Sequence, residues 1–217
     1  MADIEEAKKD FLPPPGWKRN PILLKLKKLD EALSYRLTFA YDESSCLGAY
    51  RRKLVVFERS AHTLICFGVA LLFWWMSASM ESRAVYTNII LALCIDVFVV
   101  AIVKSMARRR RPGVTKSAYD NDPSSTNLSF PSGFVSRATL LALILASEGF
   151  SPISLFLFLL WAGAMLLTKL FLGRFFLGDA LGAVPLGYLT YQFIDLVWLD
   201  ADDVIAMEAF FGGQLGD

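Results

Sequence analysis

Histidine is almost absent: the 217 residues contain one, His62, beside three cysteines and a net charge of +1. The cysteines, Cys46, Cys66 and Cys94, are odd in number and show no metal-ligand spacing. That pattern argues against a disulfide framework and a zinc site, so neither a metal nor another cofactor is expected. Internal repeats and a Gly-rich nucleotide loop are also missing, and nucleic acid is not an expected partner. The opening MADIEEAKKD lacks an apolar core, so no signal peptide is expected there. His62 stands at the start of an apolar run, where an imidazole anchors a helix end more readily than it serves a reaction.

Apolar residues are abundant, at 55% of the chain with a mean hydropathy of +0.45. That balance is too apolar for a soluble domain of this length and points to a bilayer as solvent. Five windows suit membrane crossing: His62 to Ala78, Ala84 to Val103, Phe134 to Ala146, Ile153 to Leu172 and Ala180 to Leu199. The third is short, and the fifth contains Gly182, Pro185 and Gly187, with a kink expected at Pro185. The expected fold class is all-α, a polytopic membrane helical bundle of about five spans. Four regions are expected: a disordered tail over 1–20 around Pro13, Pro14 and Pro15, a basic amphipathic region over 21–60, the membrane domain over 61–199, and an acidic tail over 200–217.

From Pro21 to Thr38, Ile22, Leu23, Leu26, Leu29, Leu33 and Leu37 recur at helical spacing with Lys25, Lys27, Lys28 and Arg36 between them. Two readings stand, a helix lying on the membrane surface and a helix capping one end of the bundle. Lys and Arg concentrate in the amino-terminal region and in the connection after Lys104, with Arg108, Arg109, Arg110 and Arg111, while the opposite loops carry Arg83 and the acidic tail. Short basic loops stay cytoplasmic, so the amino terminus and that connection are expected to face the cytosol. Inside the second window Asp96 needs a partner, and Arg137 in the third is the expected one.

Three segments converge on the basic face. KSMARRRRP leaves the second window and offers Lys104 and Arg111, cations suited to a phosphate, although a basic cluster there also serves topology and anionic lipids. FPSG opens the third window, so Ser132 and Gly133 present backbone amides at a helix start, where an anion is favoured. TKLFLGRFFLGD brings Thr168, Lys169, Arg174 and Asp179 to the same face.

Taken in order, these segments resemble the three signatures of the type 2 phosphatidic acid phosphatase superfamily. Lys104, six residues and Arg111-Pro112 fit the first; Pro131, Ser132 and Gly133 fit the second, which normally ends in His; Thr168 to Asp179 has the spacing of the third. The flanking FPSG, LGR and GYLTYQFIDLVWL look most like the polyisoprenoid diphosphate phosphatase branch and its inactive nuclear-envelope relative. The resemblance implies that Lys104, Arg111, Ser132, Gly133, Thr168 and Lys169 bind phosphate and that Asp179 orients a nucleophilic His. It also exposes a departure: Phe175 stands at the nucleophile and Phe134 at the leaving-group acid. Loss of a positioned acid alone is worth about 10²–10⁴ in rate, and loss of the nucleophile removes the covalent route.

The expectation is therefore a pseudophosphatase of the endoplasmic reticulum or nuclear envelope, holding a phosphorylated lipid such as phosphatidic acid or an isoprenoid phosphate, or a protein partner or second copy. Two alternatives stay open. One is a phosphohydrolase with altered chemistry using Asp179 or His62, and the other is a structural scaffold whose pocket Phe134 and Phe175 fill.

Overall fold

A computed structural model describes residues 21–40, 47–107, 109 and 128–214. Among these residues eight α-helices follow one another: α1 (Pro21–Arg36), α2 (Arg51–Arg59), α3 (Thr63–Met76), α4 (Met80–Ala107), α5 (Gly133–Ser147), α6 (Pro152–Phe171), α7 (Leu177–Leu196) and α8 (Ala201–Gln214). Each of the five apolar windows forms a helix, α3 to α7, with ends close to the expected ones. The amino-terminal tail, Cys46, and Arg108, Arg110 and Arg111 lie outside the described residues.

A bilayer core leaves backbone groups no water to bond, which is why apolar windows of this kind become helices. α4 and α6 are long and apolar enough to cross alone. α3, with 14 residues, meets that measure only together with Gly48–Arg59, bent against it by 46°, and α7, though 20 residues long, meets it only with Ala201–Met207, bent by 78°. α5 is the short one, with 15 residues. At the start of α3, His62 Nδ1 accepts the Leu64 N–H at 3.3 Å, the anchoring role expected of it. Gly173 ends α6 with φ +68°, a conformation that side chains with a Cβ disfavour. α7 stays helical through Pro185.

Packing between spans depends on close approach rather than on exclusion of water. The α7 stripe Ala180, Ala183, Gly187, Thr190 and Ile194 is buried and made mostly of small residues. At Gly187 a Cβ would collide with the Ser136 carbonyl oxygen of α5, so this helix pair meets backbone to backbone. One apolar core, Ala70, Ile89, Ala92, Leu93, Leu140, Ile144 and Ile194, joins α3, α4, α5 and α7.

Two polar clamps reinforce it. Arg137 Nε lies 3.2 Å from Asp96 Oδ2, the pair expected from the sequence. Ser136 Oγ donates to Asp96 Oδ1 at 2.5 Å and Arg137 Nη1 donates to Thr63 Oγ1 at 2.6 Å, which ties α3, α4 and α5 together. At the other end Asn88 Nδ2 donates to the Leu199 carbonyl at 2.8 Å and its Oδ1 accepts the Leu199 N–H at 3.1 Å.

The acidic region after Leu199 begins as a helix. Asp202 and Asp203 lie in the first turn of α8, where carboxylates suit the helix dipole, and Val204 is buried. α1 folds over the opposite end of the bundle and packs on α7.

Candidate functional site

The basic end of the bundle gathers the last turn of α4, the start of α5, the end of α6, the loop over Gly173–Phe176 and the start of α7. Asp179, in the first turn of α7, is fully buried. One of its oxygens, Oδ2, accepts the Phe176 N–H at 3.0 Å and so caps the helix. The other, Oδ1, accepts from Arg109 Nη1 at 2.8 Å. Arg109 lies just beyond α4, held by Ser129, whose N–H donates to the Arg109 carbonyl at 2.7 Å. Its guanidinium stacks over the Phe176 ring, 4.2 Å from the centroid.

The second edge of the Arg109 fork goes to α1: Nη2 donates to Asp30 Oδ2 at 2.6 Å. Asp30 Oδ1 also accepts the Gly178 N–H at 2.7 Å, and Ser34 Oγ accepts the Leu177 N–H at 2.9 Å. The first amides of α7, which lack partners within their own helix, are thus met by α1. Ser132 directs its N–H to the Asp179 carbonyl at 3.2 Å, which joins the start of α5 to that of α7.

Phe134 and Phe175 come together in one apolar cluster. Val135, Leu170, Phe175, Ala180 and Ala183 are its buried members, with Phe134, Leu166 and Leu177 packed against them. Phe134 also meets Trp161 edge-on, with centroids 5.8 Å apart. The cavity beside Phe134, between Ala61, Cys66, Arg137 and Trp161, holds only ≈ 10 Å³. That is about room for one water and far too little for a phosphate.

The remaining positions lie nearby with partners of their own. Lys169 Nζ donates to Glu58 Oε1 at 2.9 Å, and Arg174 Nε donates to Glu58 Oε2 at 3.0 Å. Lys169 also stands 5.7 Å from the Phe134 ring centroid. Thr168 is buried, and its hydroxyl donates to the Ala164 carbonyl of its own helix at 2.8 Å. Gly133 fits closely, since a Cβ there would stand 3.2 Å from Val100 Cγ1 and from Arg137 Nη2. Lys104 occupies the last turn of α4. Asp30, Ser34 and Glu58 were not anticipated, and Arg109 was only one member of a basic run. The one signal in the sequence was a lone acid inside a basic segment, as with Glu58 in RRKLVVFER.

Fold and site define a multi-pass helical membrane protein with cations and carboxylates interlocked where its helices meet at one end. The chain belongs to the PAP2 superfamily, whose family model matches residues 85–200. Membership implies a lipid-phosphatase-like function, with lipid phosphates as the general substrate class. No solved structure matches the chain.

Proposed function

We propose that this chain is a pseudophosphatase, a lipid-phosphatase-like protein that engages a phosphorylated lipid or a protein partner without hydrolysing a phosphate ester. One observation carries the reading: the two positions where the family layout calls for histidine, Phe134 and Phe175, are packed into a single apolar cluster. Phenylalanine neither attacks phosphorus nor moves a proton, and the carboxylate that would orient a nucleophile is bound by Arg109 instead. Residence in the endoplasmic reticulum or nuclear envelope belongs to the same reading, and the basic loops support an orientation with this end toward the cytosol.

A scaffold role without phosphate binding is a second reading. It is favoured by Glu58, whose two oxygens pair with Lys169 and Arg174.

The deciding experiment is a phosphate-release assay on the purified chain with an isoprenoid diphosphate and with phosphatidic acid. No release above background is expected. Release that Lys104→Ala abolishes overturns the proposal, and loss on Asp179→Asn or His62→Asn would identify the altered chemistry. The Phe134→His/Phe175→His variant separates the two readings that remain. Activity gained only there favours a retained binding site, and none in either chain favours the scaffold.

A further inference from the structure

The contact between α1 and α7 has the form of a bound anion. Asp30 presents one oxygen to Arg109 Nη2 at 2.6 Å and the other to the Gly178 amide at 2.7 Å. A guanidinium edge plus an amide in the first turn of a helix is a donor set that suits a phosphate oxygen pair as well as a carboxylate. An ideal Cβ at Gly178 would lie 2.8 Å from Asp30 Oδ2, so the absence of a side chain at 178 is what admits the carboxylate.

We propose that α1 is an autoinhibitory lid: Asp30 occupies the anion position of the site, and a lipid phosphate headgroup opens the lid by replacing Asp30 on Arg109 and the Gly178 amide. The inference deepens the pseudophosphatase reading and rests on it. Three features support a releasable contact. Arg109 divides its fork, so losing Asp30 from Nη2 leaves the Asp179 pairing through Nη1 in place. Four apolar residues of α1, Ile22, Leu26, Leu29 and Leu33, form one outward stripe, 66%, 57%, 61% and 43% exposed, while Tyr35 meets the Phe176 ring edge-on with centroids 6.3 Å apart. That stripe, with exposed Lys25 and Lys28 beside it, suits an anionic bilayer surface, which can hold α1 once the polar contact is released. Finally, the headgroup and Asp30 want the same donors, so the ligand binds the open form alone, which is the condition for shifting the equilibrium.

Inorganic pyrophosphate is the soluble probe, with vesicles of phosphatidylcholine alone or with added phosphatidic acid as the lipid arms. Asp30→Asn removes the charge that competes for the site and is expected to bind pyrophosphate at least about tenfold more tightly than the unsubstituted chain. A second variant loosens the lid without touching Asp30, Arg109 or Gly178: Ser34→Ala removes the hydroxyl that accepts the Leu177 N–H at 2.9 Å. It too should bind pyrophosphate more tightly than the unsubstituted chain, a comparison that stands even where Asp30→Asn folds poorly. In the unsubstituted chain, amide exchange across α1 should rise with phosphatidic acid vesicles and stay unchanged with phosphatidylcholine.

Pyrophosphate binding by Ser34→Ala and Asp30→Asn no tighter than by the unsubstituted chain overturns the lid. So does the absence of pyrophosphate and phosphatidic acid binding by both variants. A rise in exchange with pyrophosphate but not with phosphatidic acid overturns the lipid trigger. None of these results alters the phosphate-release assay, so the lid and the pseudophosphatase reading fail separately.

Discussion

Arg109 Nη1 donates to Asp179 Oδ1 across 2.8 Å, joining residues 70 positions apart in sequence. The buried Asp179 therefore neutralises an arginine, while Phe175 lies in apolar packing. A buried carboxylate needs a partner of this kind, because an isolated one would be strongly disfavoured away from water.

Arg109→Gln should consequently be one of the more damaging single changes at this end of the bundle. It leaves Asp179, fully buried, and Asp30, close beside it, without their shared cation. Removing one partner of a buried pair costs about 3–5 kcal/mol. Thermal unfolding in detergent should show a clear fall in Tm, and adding Asp179→Asn should recover much of it, since the uncharged amide needs no counter-ion. Equal melting of the single and double variants would refute the pairing as the source of stability.

Glu58 makes a different forecast. Its two oxygens serve Lys169 and Arg174, so Glu58→Gln leaves two cations facing a neutral side chain. The Tm should fall, and inorganic phosphate or sulfate should raise the Tm of the variant more than that of the parent chain, because a ligand that prefers the folded state stabilises it. An equal response of both proteins to the anions would show that the cations do not form an anion site when Glu58 is neutral.

Much of this arrangement was legible in the sequence, and the part that was not has a common cause. Apolar windows of near-spanning length identify helices by themselves, so α3 to α7 were expected. The Asp96–Arg137 pair followed from two charges each isolated within apolar sequence, where each has few other candidates. α8 was hidden because Asp202 and Asp203 read as a solvated tail, although acids in a first turn also favour a helix. Which arginine of the basic run reaches Asp179 depends on where α4 ends and how the chain returns at Ser129. Spacing emphasised Arg111, whereas the described contact is made by Arg109. Asp30 and Glu58 pair with residues 79 and 111 positions away, and no local pattern carries that information.

Arg137 supports the spans as Arg109 supports the site. Its Nε meets Asp96 and its Nη1 meets Thr63, so Arg137→Ala strands a fully buried carboxylate and breaks the link from α3 to α4. A loss of roughly 3–5 kcal/mol is expected. The double variant Asp96→Asn/Arg137→Gln, uncharged and still able to hydrogen-bond, should melt above Arg137→Ala. Melting of the double variant at or below the single would mean that the charge itself, and not its pairing, is what the bundle needs.

Gly187 and Gly163 give a matched pair of substitutions with opposite forecasts. Both are helical, in α7 and α6, but a Cβ at 163 would meet nothing within 4 Å, whereas one at 187 would meet the Ser136 carbonyl oxygen and the Thr139 side chain of α5. Backbone cannot move aside as a flexible side-chain end can, so Gly187→Ala has to push α7 from α5. Added volume in a close-packed contact costs about 1–3 kcal/mol, and Gly187→Val should cost more than Gly187→Ala. The same shift would displace Ala180 and Ala183, which face the cluster around Phe134 and Phe175, and so disturb the site from a distance. Gly163→Ala should leave the Tm unchanged or slightly higher, given the better helix propensity of Ala. Thermal melts of the three variants in one detergent decide the matter, and a Gly187→Ala protein as stable as Gly163→Ala would rule out the backbone contact between α5 and α7.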